Sequence, residues 1–140
     1  MNVWDDDWGE QPGDWSGGGA LAKRLVNESA GLGASLYELD SGNFLIYHAH
    51  HGSEELLIVL RGQPMLRTPA GERRLAEGDV VYFPAGPTGA HGLRNDGEDP
   101  VRVVIAGTRP SPEVVEYPDL GQVTGQSSHG IFFIHTLRDD

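Results

Sequence analysis

The feature that most constrains this chain is its rhythm between residues 34 and 106. Short apolar, β-branched or aromatic runs alternate there with turn chemistry, and no helix-length amphipathic period interrupts them. The runs ASLYEL (34–39), FLIYHAH (44–50), EELLIVL (54–60), PMLRT (64–68), ERRLA (72–76), VVYF (80–83), HGLRN (91–95) and VRVVIA (101–106) read as strands. Between them lie Asp40-Ser41-Gly42-Asn43, Arg61-Gly62, Pro69-Ala70-Gly71, Glu77-Gly78-Asp79 and Asn95-Asp96-Gly97, all turn-forming sequences. This spacing predicts an all-β sandwich or barrel. With 140 residues the chain fits a single domain, and its twenty glycines and nine prolines supply the turns.

Three stretches organise the chain. Residues 1–30 form an arm in which Trp4, Trp8 and Trp15 are spaced through Asp- and Gly-rich sequence. The arm fits packing on the barrel or a partner subunit as well as it fits a disordered tail. Within it, ALAKRLVNE (20–28) suits either a short helix or an edge strand. Residues 31–108 form the barrel. In 109–140, RPSPEVVEYPDL (109–120) carries three prolines and is expected to run extended along the outside of the barrel. IFFIHTL (131–137) is expected to be a last strand that docks or pairs between subunits.

Charge narrows the possible partners. Ten Lys and Arg stand against 21 Asp and Glu, a net charge of −11, which repels nucleic acid and anionic membranes. An anionic ligand inside a barrel is still compatible with this surface, because local arginines can hold it. The absence of cysteine rules out disulfides and thiolate metal sites and agrees with a reducing compartment. No signal-peptide pattern opens the chain and no apolar run approaches a membrane span, so a cytoplasmic location is expected.

The histidines carry the chemistry. Six are present, at 48, 50, 51, 91, 129 and 135. His48 and His50 sit two apart on a predicted strand, so their imidazoles share one face and can converge on one point. Glu55 has the opposite parity, but the break at Gly52-Ser53 lets a turn return it to that face on the neighbouring strand. Two imidazoles and a carboxylate suit a first-row divalent metal. His51 is expected to face solvent, and His129 and His135 to lie at a surface or interface.

These residues resemble the cupin superfamily. Its first motif, G-x5-H-x-H-x3,4-E-x6-G, is met by Gly42, His48, His50, Glu55 and Gly62. Its second, G-x5-P-x-G-x2-H-x3-N, is met by Gly78, Pro84, Gly86, His91 and Asn95, except that four residues and not two separate Gly86 from His91. That insertion is expected to lengthen the barrel mouth without moving His91 off its strand. The resemblance covers about residues 36–106 and implies a double-stranded β-helix barrel, with His48, His50, Glu55 and His91 binding one metal ion: Mn, Fe, Ni, Co or Zn. Glu54 is the fallback ligand, since the motif tolerates a shorter turn. The sequence from Gly78 to Asp119 also looks like small bacterial stand-alone cupins of the sugar-phosphate-isomerase-like type.

Around such a site Tyr37, Tyr47 and Tyr82 are candidate proton donors. Arg67, Arg94 and Arg102 are candidate anion clamps, and Asn95 a candidate substrate contact. Strand alternation adds that Leu57 and Val59 follow Glu55 inward, that Leu93 and Asn95 follow His91 inward, and that Arg94 faces out. An apolar pocket floor and a small-molecule ligand are therefore expected. Three functions fit: a metal-dependent isomerase or lyase acting on a small sugar-like or keto/hydroxy acid, an iron-dependent dioxygenase, and a non-catalytic barrel that binds a small ligand or metal. Apolar sequence at both ends predicts a homodimer.

Overall fold

The computed structural model describes residues 1–11, 18–29, 31–127 and 130–136, so Trp15 and His129 lie outside the described residues. The strands are β1 (Leu21–Arg24), β2 (Leu32–Leu39), β3 (Phe44–His50), β4 (Glu55–Arg61), β5 (Met65–Thr68), β6 (Gly71–Arg74), β7 (Val80–Phe83), β8 (His91–Arg94), β9 (Val101–Thr108), β10 (Glu113–Tyr117), β11 (Gln122–Ser127) and β12 (Gly130–Thr136). They build two antiparallel sheets. One has the order β1-β2-β9-β4-β7, the other β12-β11-β10-β3-β8-β5-β6. Consecutive strands fall in different sheets at several points, which is the winding of a double-stranded β-helix.

Period-two alternation explains the core. Leu57 and Val59 on β4, Val81 and Phe83 on β7, Leu93 on β8, and Val101, Val103 and Ile105 on β9 point inward and pack with Leu39, Leu66 and Leu75. Each such side chain, fully buried, contributes about 1.5–3 kcal/mol. The intervening positions Leu56, Val80 and Tyr82 remain exposed on the outer face.

Two expectations are changed or decided here. ALAKRLVNE contributes an edge strand, with β1 paired to β2 from Leu21↔Glu38 to Arg24↔Ser35. The proline-rich stretch does not lie along the outside: its centre is β10, inserted between β3 and β11, with Val115 opposite His50. Glu113, Val115 and Tyr117 are buried while Val114 and Glu116 are less so, a period that apolar residues on both faces of EVVEY conceal. The prolines bracket the strand and leave its ladder intact. Finally, β11 (QVTGQS) has almost no apolar signature and was not expected as a strand.

The first residues pack on the outside of the five-stranded sheet. Arg102 leaves β9 on the outer face yet is 0% exposed. Its guanidinium donates to the carbonyls of Val3 (3.0 Å) and Asp5 (3.3 Å), to Asp6 Oδ1 (2.6 Å) and to Glu38 Oε1 (3.3 Å). The Trp8 ring lies 5.0 Å from it, and Trp4 covers Arg61 at 5.2 Å. Gln11 exchanges two hydrogen bonds with the backbone of Ala22 on β1. The acidic arm is thus latched to an arginine.

Candidate metal centre

β3 and β8 run antiparallel with His48 opposite His91, and a bulge between Leu45 and His48 sets that register. β4 begins at Glu55, opposite Gly107 on β9. A Cβ on residue 107 would lie 2.2 Å from the Glu54 carbonyl oxygen and 3.1 Å from Glu55 Cγ, so only glycine lets β4 start here. These three placements bring four side chains into one cluster inside the barrel.

In the cluster His48 Nε2 is 3.1 Å from His50 Nε2. Glu55 Oε1 is 3.2 Å from both His50 Nε2 and His91 Nε2, and 3.9 Å from His48 Nε2. The donor atoms of His48, His50 and Glu55 all lie within 4.8 Å of one another, a group that can hold a metal ion. Backbone carbonyls fix two of the rings: His48 Nδ1 is 2.7 Å from Ile46 O and His91 Nδ1 is 2.8 Å from Gly89 O. With Nδ1 as the donor, the lone pair sits on Nε2 and faces the cluster. Glu55 Oε1 and His91 Nε2 are buried without a hydrogen-bond partner, because with the proton on Nδ1 both atoms are acceptors. Buried polar atoms left in this way are rare and costly, and a shared cation satisfies them together. The residues present therefore fit a metal.

Electrostatics agree. Burial, then the neighbouring His91 and His50, lower the His48 pKa to about 4, which keeps a neutral ligand nitrogen near neutrality. Burial works to lower the pKa of His50, but the carboxylates of Glu55 and Glu113 outweigh it and raise it. Burial likewise works to raise the pKa of Glu55, but the neighbouring His50 and His91 pull it well below the carboxylate range.

The four-residue spacer before His91 forms a single 3-10 turn, Pro87–Gly89. A Cβ at Gly89 would meet the Pro84 carbonyl oxygen at 1.8 Å, so the turn closes only on glycine. Phe83 stacks on His91 from the core side, with ring centroids 3.7 Å apart and planes within 9°.

Several candidate residues lie elsewhere. Tyr82 is exposed on the outer face and donates to Glu54, so neither reaches the cluster. Tyr47 and Arg67 pack against each other outside the barrel, 3.9 Å from guanidinium carbon to ring centroid, with Asp119 bonded to the arginine. Arg94 faces out to Glu72 and Asp96. Arg102 is spent on the N-terminal arm. Asn95 is buried but structural: its amide donates to Leu39 O (2.9 Å) and Asp99 O (2.8 Å) and accepts from Gly97 N (3.0 Å). His51 bonds to Glu116 at the surface, and His135 is exposed on β12.

Of the tyrosines named from the sequence, Tyr37 faces inward against the core. Burial raises its pKa, and it feels the Glu55 charge. Sequence reasoning missed Tyr117, whose ring centroid is 6.2 Å from that of His48, and Glu113, buried beside the cavity. Placing either requires the β10 pairing, which EVVEY alone does not reveal. The cavity next to the cluster, about 530 Å³, is lined by His50, Glu55, Glu113, Arg24, Arg109 and several hydroxyls. Leu57, Val59 and Leu93, expected as its floor, pack in the core and do not line it.

Comparison with known proteins places this architecture. The model of the cupin domain family matches residues 35–107, which takes in all four clustered residues. A cupin-superfamily sugar phosphate isomerase from Silicibacter pomeroyi shares 25% identity, with a TM-score of 0.78 over 86% of this chain and 81% of its own. A DMSP lyase from Ruegeria pomeroyi shares the fold at 24% identity, with a TM-score of 0.58 over 71% of this chain and 53% of its own. An auxin-binding protein from Prunus persica is 31% identical over 62% of this chain, and the match spans 45% of the plant protein's length. By motif, winding and match alike, this chain belongs to the cupin family.

Proposed function

We propose that the chain is a metal-dependent cupin enzyme, an isomerase or lyase acting on a small sugar-like or keto/hydroxy acid. The observation that carries this reading is the meeting of His48, His50 and His91 Nε2 around Glu55 Oε1, with two of those atoms buried and unpartnered. A divalent ion of Mn, Fe, Ni, Co or Zn, held by these four residues, supplies Lewis-acid polarisation of a carbonyl or hydroxyl. The chain's own residues do the rest. Ile46 and Gly89 carbonyls orient two imidazoles, Phe83 seals one ring from water, and the cavity at His50 and Glu55 is of a size that takes a small metabolite. The similarity to a sugar phosphate isomerase supports the reaction class.

The test is elemental analysis followed by turnover. Metal-reconstituted protein is expected to hold about one ion per chain, and His91→Ala to lose it with the barrel folded. A screen of aldose/ketose and hydroxy-acid pairs is then expected to find isomerisation or elimination. Absence of metal from the reconstituted protein sinks the reading. Turnover that consumes dioxygen and needs ferrous iron replaces it with the oxygenase.

The second part of the reading is a homodimer of this small-molecule enzyme. Its support is the exposed apolar row of Leu56, Val80 and Tyr82 on the outer face, where β7 also ends the sheet. Sedimentation is expected to give a dimer that Val80→Lys splits, and a wild-type monomer at micromolar concentration defeats it.

A further inference from the structure

The cavity beside the cluster holds two arginines, Arg24 at the end of β1 and Arg109 just past β9. In a chain of net charge −11, Arg67, Arg74, Arg94 and Arg102 pair with carboxylates among the described residues, while Arg61 and Arg73, exposed and away from this cavity, do not. Among the described residues neither Arg24 nor Arg109 has an ion-pair partner. Across the same cavity stands a carboxylate outside the metal-site cluster, Glu113, beside the His50–Glu55 edge. Glu113 is 8% exposed, and its Oε1 accepts from Gly52 N (2.8 Å) and Val114 N (3.1 Å). Its Oε2 is buried with no partner. A rigidly held carboxylate oxygen in that state awaits a donor.

From this polarity we infer that the cavity binds a small hydroxylated anion, its carboxylate or phosphate held by Arg24 and Arg109 and a hydroxyl donated to Glu113 Oε2. The inference rests on the reading above in that the same molecule then reaches the His50–Glu55 edge. Orientation follows from the two walls: the guanidiniums of Arg24 and Arg109 take the anionic group, and Glu113, which is not among the metal-site residues, turns an anion away and faces the neutral hydroxyl-bearing part. Both arginines are solvent-exposed, so the affinity is modest and weakens with salt.

The experiment is calorimetric titration of the metal-loaded protein at low ionic strength with D-glycerate, glycerol 3-phosphate, propionate, methyl phosphate and glycerol. At least one hydroxylated anion is expected to bind more tightly than its hydroxyl-free counterpart, and glycerol not at all. The carboxylate and phosphate arms tell which anion the arginines prefer. Arg24→Gln with Arg109→Gln is expected to weaken that binding by about tenfold or more, the loss of one or two charge-assisted bonds. Glu113→Gln presents an amide donor where the acceptor stood, and is expected to erase the preference for the hydroxylated anion while arginine dependence stays. No binding of either anion class, an unchanged double variant with unchanged melting temperature, or a hydroxyl preference that survives Glu113→Gln overturns the inference. Metal content of the same samples separates the two failures: protein without metal sinks the metal-centre reading, while titration of chelator-treated protein still tests the arginines.

Discussion

The imidazole of His91 lies flat on the ring of Phe83, centroids 3.7 Å apart, and its Nδ1 is held at 2.8 Å by the Gly89 carbonyl. The ring is thereby fixed in plane, in rotation and in tautomer, with Nε2 facing Glu55. Phe83→Leu removes the plane while keeping an apolar core residue. It is expected to lower metal affinity by about tenfold, as loss of support around a ligand does, and to cost about 1 kcal/mol of stability. Chelator competition and urea unfolding read the two effects separately, and an unchanged affinity refutes the positioning role.

Gly89→Ala tests the same ring from its other side. The added Cβ meets the Pro84 carbonyl oxygen, so the 3-10 turn must open and the carbonyl that holds Nδ1 must move. The expected result is a loss of about 2 kcal/mol or more together with substoichiometric metal. Denaturant midpoints and elemental analysis measure both.

Arg102 carries a different prediction. Arg102→Ala leaves Glu38 without its partner and frees Asp6 and the carbonyls of Val3 and Asp5. Since Asp6 is mostly exposed, the loss is set at about 2 kcal/mol, below that of a fully buried pair. Limited proteolysis is expected to cut before residue 20 in the variant, with metal content unchanged. A resistant arm would show that Trp4, Trp8 and Gln11 suffice to hold it.

The pH dependence of the metal-free protein follows from His48. Its pKa is about 4 when folded and 6.5 ordinarily, so between those values the unfolded chain takes up a proton that the folded chain refuses. Stability from this group is therefore complete above about pH 6.5 and lost as pH falls towards 4, by up to about 3 kcal/mol. The raised His50 acts in the opposite sense. Melting temperatures of chelator-treated wild type and His48→Gln, compared from pH 7 to 4, are expected to converge as pH falls. A constant difference refutes the assignment.

Much of the barrel was legible in advance because period two is a local property. FLIYHAH and VVYF have the strand bounds the sequence predicts, and Leu57, Val59 and Leu93 face inward as alternation requires. Glu55 and not Glu54 turns in, which follows from where β4 begins. Other placements were illegible for physical reasons. Arg67, Arg102, Tyr47 and Tyr82 are ordinary strand residues whose partners, Asp119, Asp6, Arg67 and Glu54, come from other segments or the facing turn. β10 and β11 hide because a strand with apolar residues on both faces, or one rich in polar residues, shows no apolar alternation in its sequence.

The sequence by itself determined the all-β winding, the shared face of His48 and His50, and the motif that names Glu55 and His91, because side-chain parity and turn chemistry act over a few residues. Only the tertiary structure decided which arginines border the cavity, that Glu113 and Tyr117 come beside the histidines, and that the acidic arm closes over Arg102. Those relationships are made between strands far apart in the chain, whose order in the sheets no local pattern specifies.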